Sequence, residues 1–218
     1  MTAAPEWLAG EGDAGFDEIA DALRDTGYVV VNDAFSADLV TRWFVHLKAL
    51  EARGFRRAGV GRASLHQLNR FVRGDEIHWL EWGEPALADW FAWVEALRLA
   101  LNRRLFLGLF DYECHFAKYP PGTFYRRHLD AFGDFGRSRV ISTVLYLTAN
   151  WAPGDGGELV LYGADDGERA RIEPCFGRLV LFLSEEFPHE VLRVHRPRYS
   201  LTGWYRINAP IGRATGAP

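Results

Sequence analysis

The spacing of apolar residues changes once along the chain, and the change divides its elements into two kinds. In "FDEIADALRDTG" Phe16, Ile19, Ala20 and Leu23 fall on one helical face, and Gly27 is a stop signal. "GYVVVNDAF" then predicts a short strand. Ser36 is placed to cap a second helix running to about residue 53, with Val40, Phe44, Leu47 and Leu50 at helical spacing and Gly54 closing it. A third helix is predicted from about residue 84 to 105, its packing stripe being Leu87, Trp90, Phe91, Val94, Leu97 and Leu101. From residue 111 the period becomes two. "YECHFAKY", "YRRHLDAF", "RVISTVLYLT", "ELVLYG", "RARIEP", "RLVLFLS", "HEVLRV" and "RYSLTGWYRI" are rich in β-branched and aromatic residues. Gly, Pro and Asp clusters such as "YPPG" and "APGDGG" separate them.

Eight short strands at this spacing predict a jelly roll or barrel, with the helices bracing one outer sheet. The fold class is therefore mainly β with supporting helices. No repeat or long linker divides the chain, so residues 1–218 read as one domain. Within it, 1–110 is mostly helical support with a substrate-side loop, 111–208 is the β core and 209–218 is a tail.

Composition narrows the possible partners. The net charge is only -4, with 25 basic and 29 acidic residues interspersed, which argues against a broad surface for nucleic acid or anionic lipid. Cys114 and Cys175 lie far apart and make no disulfide framework. "MTAAPEWLAGEGDAGFDE" has no basic start followed by an apolar stretch, and no run is long enough to span a bilayer. A cytoplasmic protein without a membrane or nucleic-acid partner is the expectation.

Chemistry enters at "YRRHLDAF". Read as a strand, this segment sends His128 and Asp130 to the same face, roughly 6–7 Å apart, from where they can converge on one ion. Among the other histidines, His46 falls in a helix, and His66 and His78 in a polar segment before the third helix; all three are expected at the surface. His115 reads as a satisfied or solvated strand residue and His195 as part of a basic turn. His189 differs, because it opens the "HEVLRV" strand, which in a jelly roll lies near "YRRHLDAF". Two imidazoles and one carboxylate leave adjacent coordination positions open, as non-haem Fe(II) oxygenases require. Zinc hydrolases, metal-binding cupins and a structural His–Asp hydrogen bond remain alternatives at this point.

Arg198 lies nine residues after His189 and begins the last strand. Alternation puts Arg198, Ser200, Thr202 and Trp204 on one face and Tyr199, Leu201 and Tyr205 on the other. A buried arginine needs an anion. A guanidinium converging with the phenol of Tyr146 would form a carboxylate site, whereas a surface Arg198 would pair with an acidic neighbour.

From about residue 71 to 206 the chain resembles the 2-oxoglutarate and Fe(II)-dependent oxygenases, specifically prolyl hydroxylases of the oxygen-sensing type and their bacterial relatives. The resemblance is carried by "RGDEIHWLEWGEP", "YPPGTFYRRHLD" and "IEPCFGRLVLFLSEEFPHEVLRVHRPRYSLTGWY". It implies a double-stranded β-helix in which His128, Asp130 and His189 ligate iron. Arg198 and Tyr146 would hold the distal carboxylate of 2-oxoglutarate, and Tyr119 and Thr202 would line the same pocket. On the substrate side it implies Asp75 and Arg137 paired across the mouth, Arg137 meeting the peptide, with Trp204 helping to exclude water. Fe(II), 2-oxoglutarate and O2 are the implied cofactor and co-substrates, with ascorbate as a stimulant.

Two residue types discriminate within that superfamily. Trp204 stands where nucleic-acid demethylases usually carry a second arginine, and Arg198 where collagen-type enzymes use lysine. "AFGDFGRSR" lacks the Asn and Pro usual in the animal members, and only "NAPIGRATGAP" follows the last strand, so no long helix is expected over the substrate. The implied activity is hydroxylation of a prolyl residue in a loop of a cytosolic protein, a bacterial translation factor being one such partner. A non-prolyl or small-molecule substrate, and a non-catalytic iron or oxoglutarate sensor, are the alternative readings.

Overall fold

The computed structural model describes residues 12–57, 73–131 and 138–207. Helix α1 (Gly12–Thr26) stops where Gly27 takes a φ of 78°. A Cβ at Gly27 would stand 2.7 Å from the Phe187 ring, so glycine is required there for both conformation and space. The Ser36 hydroxyl accepts from the Leu39 N–H and opens α2 (Ala37–Gly54). A 3-10 turn at Pro85–Leu87 leads into α3 (Ala88–Leu105), which Phe106 ends in the left-handed conformation.

The strands are β1 (Tyr28–Val31), β2 (Arg56–Arg57), β3 (Glu76–Trp79), β4 (Leu109–Tyr119), β5 (Tyr125–His128), β6 (Arg139–Tyr146), β7 (Leu159–Tyr162), β8 (Glu168–Ile172), β9 (Leu179–Leu183), β10 (His189–Val191) and β11 (Arg198–Ile207). They form an antiparallel seven-stranded sheet, β1-β9-β6-β11-β4-β3-β2, and an antiparallel four-stranded sheet, β5-β10-β7-β8. This is the jelly-roll architecture expected from the period-two half of the chain.

The helices cover the outer face of the larger sheet. Phe35, Trp43, Trp90 and Trp93 pack edge to face, tilted or stacked at 5.0–5.8 Å, a large apolar burial with favourable ring geometry. Tyr199, Leu201 and Tyr205 of β11 point into this layer, and the Tyr205 hydroxyl donates to the Val94 carbonyl at 2.8 Å. Alternation sends Arg198, Thr202 and Trp204 to the opposite face, where they line a cavity between the two sheets. A second apolar cluster that includes Val144, Tyr146, Leu159, Leu161, Val180 and Phe182 closes one end of that space.

Several expectations need correction, and some fall on residues outside the description. The polar segment before α3 contains β3, which pairs with β4 (Ile77 opposite Ala117, Trp79 opposite His115). Its four residues are too few to show a period, and the pairing supplies the order that the local sequence lacks. His78 therefore sits half-buried in a sheet, and His46 is bonded to Glu84 at 3.1 Å rather than free at the surface. β5 ends at His128 because His189, the first residue of β10, is its partner and the ladder goes no further, so a turn and not strand alternation delivers Asp130. His66, Arg137 and the tail 209–218 lie outside the described residues.

Candidate active site

A cavity of about 880 Å³ opens between the sheets. His128 and His189 face each other across the β5–β10 ladder with ring centroids 4.2 Å apart. Asp130 completes the cluster, its Oδ1 3.5 Å from His128 Nε2 and its Oδ2 3.5 Å from His189 Nε2. One ligand atom from each residue lies within 4.8 Å of the others, and this is the one potential metal cluster of at least three such residues among the described residues. Each imidazole is oriented by its own backbone: His128 Nδ1 lies 2.8 Å from the Arg126 carbonyl and His189 Nδ1 3.0 Å from that of Phe187. A carbonyl can only accept, so Nδ1 carries the proton and Nε2 presents a lone pair to the cavity.

The electrostatics favour the ligand forms. Burial, reinforced by neighbouring His128, pushes His189 down to about 4 and keeps its ring neutral. Burial works against a charge on Asp130, but any proton taken up by His189 or His128, together with the Arg139 guanidinium, favours the carboxylate, and the carboxyl is held well below its usual range. Two imidazoles and one carboxylate are a donor set that fits a divalent first-row ion.

Deeper in the cavity Arg198 is 3% exposed, and no carboxylate pairs with it among the described residues. Its guanidinium carbon lies 4.9 Å from the Tyr119 ring and 5.0 Å from the Tyr146 ring. Arg198 Nε and the Tyr146 hydroxyl are both buried without a hydrogen-bond partner. A buried cation beside an idle phenol is costly unless an anion joins them, so these residues fit a carboxylate. Tyr146 is fully buried and reaches Arg198 from the inter-sheet core. Gly157 is a feature of this region that sequence reasoning read only as a turn. Its φ is 81°, and a Cβ there would stand 2.9 Å from Arg198 Cδ.

The opposite wall is aromatic and charged. His115, opposite Thr202 in the β4–β11 ladder, lies between Trp79 at 4.9 Å and Trp204 at 5.3 Å. Its Nδ1 is buried without a partner, and burial, aided by Arg73, pushes its pKa down to about 3. The expectation of a satisfied or solvated His115 is thus corrected. Parity with Tyr119 on β4 was the signal for its cavity position. Asp75 is buried rather than at an exposed rim, accepting from Arg73 Nε at 2.6 Å and Nη2 at 2.8 Å. Arg139 also reaches this wall, its guanidinium 3.6 Å from the Trp204 ring centroid. Glu113 holds Arg139 at 2.7 and 3.0 Å and is itself held by Arg206 at 3.2 Å.

Residues 114–206 match the family model of the 2OG-Fe(II) oxygenase superfamily. A solved Pseudomonas putida prolyl-4-hydroxylase is 42% identical, with a TM-score of 0.79 over 89% of this chain and 100% of that one. The chain belongs to the 2-oxoglutarate/Fe(II) oxygenases of the prolyl hydroxylase type. Members of this family take Fe(II) and 2-oxoglutarate and consume O2. A Trichoplax adhaerens prolyl hydroxylase, solved with a hypoxia inducible factor oxygen degradation domain peptide fragment, is 27% identical with a TM-score of 0.82, covering 92% of each chain. Among curated relatives, Egl nine homolog 1 of Homo sapiens is 29% identical over 91% of this chain. Prolyl hydroxylase EGLN3 of Homo sapiens is 34% identical over 68% of it. The oxygenase chain spans 49% and 62% of the lengths of these two relatives. No helix among its described residues is long and apolar enough to cross a membrane.

Proposed function

We propose that the protein is a 2-oxoglutarate- and Fe(II)-dependent oxygenase that hydroxylates a prolyl residue of a protein substrate, releasing succinate and carbon dioxide. The observation that carries this reading is Arg198, a buried and carboxylate-free guanidinium in the same cavity as the His128, Asp130 and His189 cluster. A zinc hydrolase has no use for it. The prolyl substrate is supported by the prolyl hydroxylases to which the chain is similar.

Iron with 2-oxoglutarate and O2 would supply the oxidation of the C–H bond. The protein's part is to bind, orient and keep dry. His128 Nε2, His189 Nε2 and one Asp130 oxygen would hold the metal on one side. The Arg198 fork and the Tyr146 phenol would take the distal carboxylate, with Tyr119 packed on the guanidinium and Thr202 lining the same cavity. Trp204, His115 and Trp79 form an aromatic wall against which an apolar ring can pack while water is excluded. Arg139, fixed by Glu113 and stacked on Trp204, is placed to meet the peptide, and the buried Arg73–Asp75 pair braces the same wall. The substrate is taken to be an exposed proline loop of a cytoplasmic protein, with a translation factor as the partner to assay first. The test is incubation with Fe(II), 2-oxoglutarate and a cell lysate. Prolyl residues that gain one oxygen support the proposal; tight 2-oxoglutarate binding with no succinate would instead indicate a sensor.

A further inference from the structure

The Asp130 carboxylate is tied from behind. Ser142, on the cavity-facing side of β6, donates to Asp130 Oδ2 at 2.7 Å, and the Ser184 hydroxyl, one residue past β9, lies 2.9 Å from Ser142 Oγ. Both serines are 0% exposed. Their proton directions follow from count: Ser142 has one proton, the carboxylate can only accept, so Ser142 gives to Asp130 and Ser184 gives to Ser142. The other oxygen, Oδ1, has His128 Nε2 at 3.5 Å and no hydroxyl donor among the described residues.

We infer that the Ser184–Ser142 relay holds Asp130 as a one-oxygen ligand, a positioning role that rests on the metal reading above. The reason is coordination arithmetic. With two imidazoles and one carboxylate oxygen bound, three positions of a six-coordinate ion stay free, enough for a co-substrate that chelates through two atoms and for dioxygen. An untied carboxylate can bind through both oxygens and occupy one of those positions. Ser142 engages Oδ2 and leaves only Oδ1 unencumbered. Ser184, itself fixed by its N–H bond to the Val140 carbonyl at 2.9 Å, orients the Ser142 proton. Hydroxyl-to-carboxylate bonds of this kind orient ligands, and their loss typically costs ten- to a hundredfold in metal affinity.

The test uses Co(II) on the whole protein, without turnover. Dissociation constants are measured by competition with a chromophoric chelator, and 2-oxoglutarate binding to the Co(II)-loaded protein by calorimetry. Ser142→Ala should weaken Co(II) binding about tenfold and 2-oxoglutarate binding to the loaded protein at least as much. Ser142→Thr keeps the hydroxyl and should restore both to within about twofold. Ser184→Ala, one bond further back, should weaken Co(II) binding about threefold, and this variant carries the test alone if Ser142→Ala does not fold. Unchanged affinities in Ser142→Ala would overturn the relay, as would an equal loss in Ser142→Thr, which would mark packing rather than hydrogen bonding. If the wild-type protein bound no Co(II), the metal reading and the relay would fall together; wild-type binding with an indifferent Ser142→Ala sinks the relay alone.

Discussion

Arg198→Lys keeps the charge and loses the planar fork. The guanidinium offers two parallel donors to a carboxylate, and its carbon lies 4.9 and 5.0 Å from the Tyr119 and Tyr146 rings. An ammonium on a shorter stem retains about one of those charge-assisted hydrogen bonds, and each is worth about 1.5–3 kcal/mol. The affinity for 2-oxoglutarate should therefore fall about 10- to 100-fold, while metal binding is unchanged because Arg198 touches none of the three candidate ligands. Thermal unfolding gives a readout independent of turnover. At a 2-oxoglutarate concentration of about 100 times the wild-type Kd, binding stabilises the metal-loaded protein by about 2.7 kcal/mol. If the variant's Kd is a hundredfold weaker, the same concentration gives only about 0.4 kcal/mol. For a chain of this size these correspond to about 5–10 °C against about 1 °C in Tm. Equal Tm shifts in the two proteins, or an unmoved 2-oxoglutarate titration curve for succinate formation, would refute the carboxylate site at Arg198.

The remaining predictions concern the metal cluster, Gly157, His115 and Asp75. His128→Ala or Asp130→Ala should abolish Fe(II)-dependent succinate formation with the circular dichroism spectrum intact, and unchanged turnover in either would exclude these ligands. Gly157→Ala adds a Cβ at a φ of 81° and 2.9 Å from Arg198 Cδ, so it should raise the 2-oxoglutarate requirement and lower stability by about 1–3 kcal/mol. A normal requirement would show that Arg198 has room to move. His115, pushed from 6.5 to about 3 by burial, takes up its proton more readily unfolded than folded, so the stability it contributes at neutral pH is lost as pH falls below 6.5. At pH 5 that loss is about 2 kcal/mol, and metal-free His115→Asn should lose about that much less between pH 7 and pH 5 in urea titrations; parallel losses would place His115 in contact with water. Asp75→Ala strands the Arg73 guanidinium, so it should cost about 3 kcal/mol or more of stability, whereas a loss below 1 kcal/mol would mean the pair is effectively solvated.

Most of the β half was legible because each strand is a short alternating run bounded by Gly or Pro. Arg198, Thr202 and Trp204 could be put on one face by counting alone. Arg139 could not. Tyr205 pairs with Ile141 but Arg206 pairs with Arg139, so Val140 is an extra residue that shifts the parity of β6 and turns Arg139 into the cavity. A bulge of this kind leaves no periodic trace. Asp130 was identified through the wrong mechanism: spacing suggested one strand face, while a turn after the last β5–β10 pair places the carboxylate. β3 was missed because "EIHW" is ordered by its partner β4 rather than by its own pattern. The idle Nδ1 of His115 and the hydroxyls of Ser142 and Ser184 acquire meaning only from their three-dimensional neighbours, since isolated histidines and serines are ordinary in strands.

The central claim is that one cavity couples the His128, Asp130 and His189 cluster to Arg198 for oxygenation of a prolyl side chain. Its most direct test is tracing of isotopically heavy dioxygen through the purified protein supplied with Fe(II), 2-oxoglutarate and a candidate proline-loop protein. The account predicts one heavy oxygen atom in the prolyl hydroxyl and one in succinate, in equal amounts, with neither in Asp130→Ala. Succinate without a labelled prolyl residue would contradict the substrate, and no succinate at all would contradict the oxygenase.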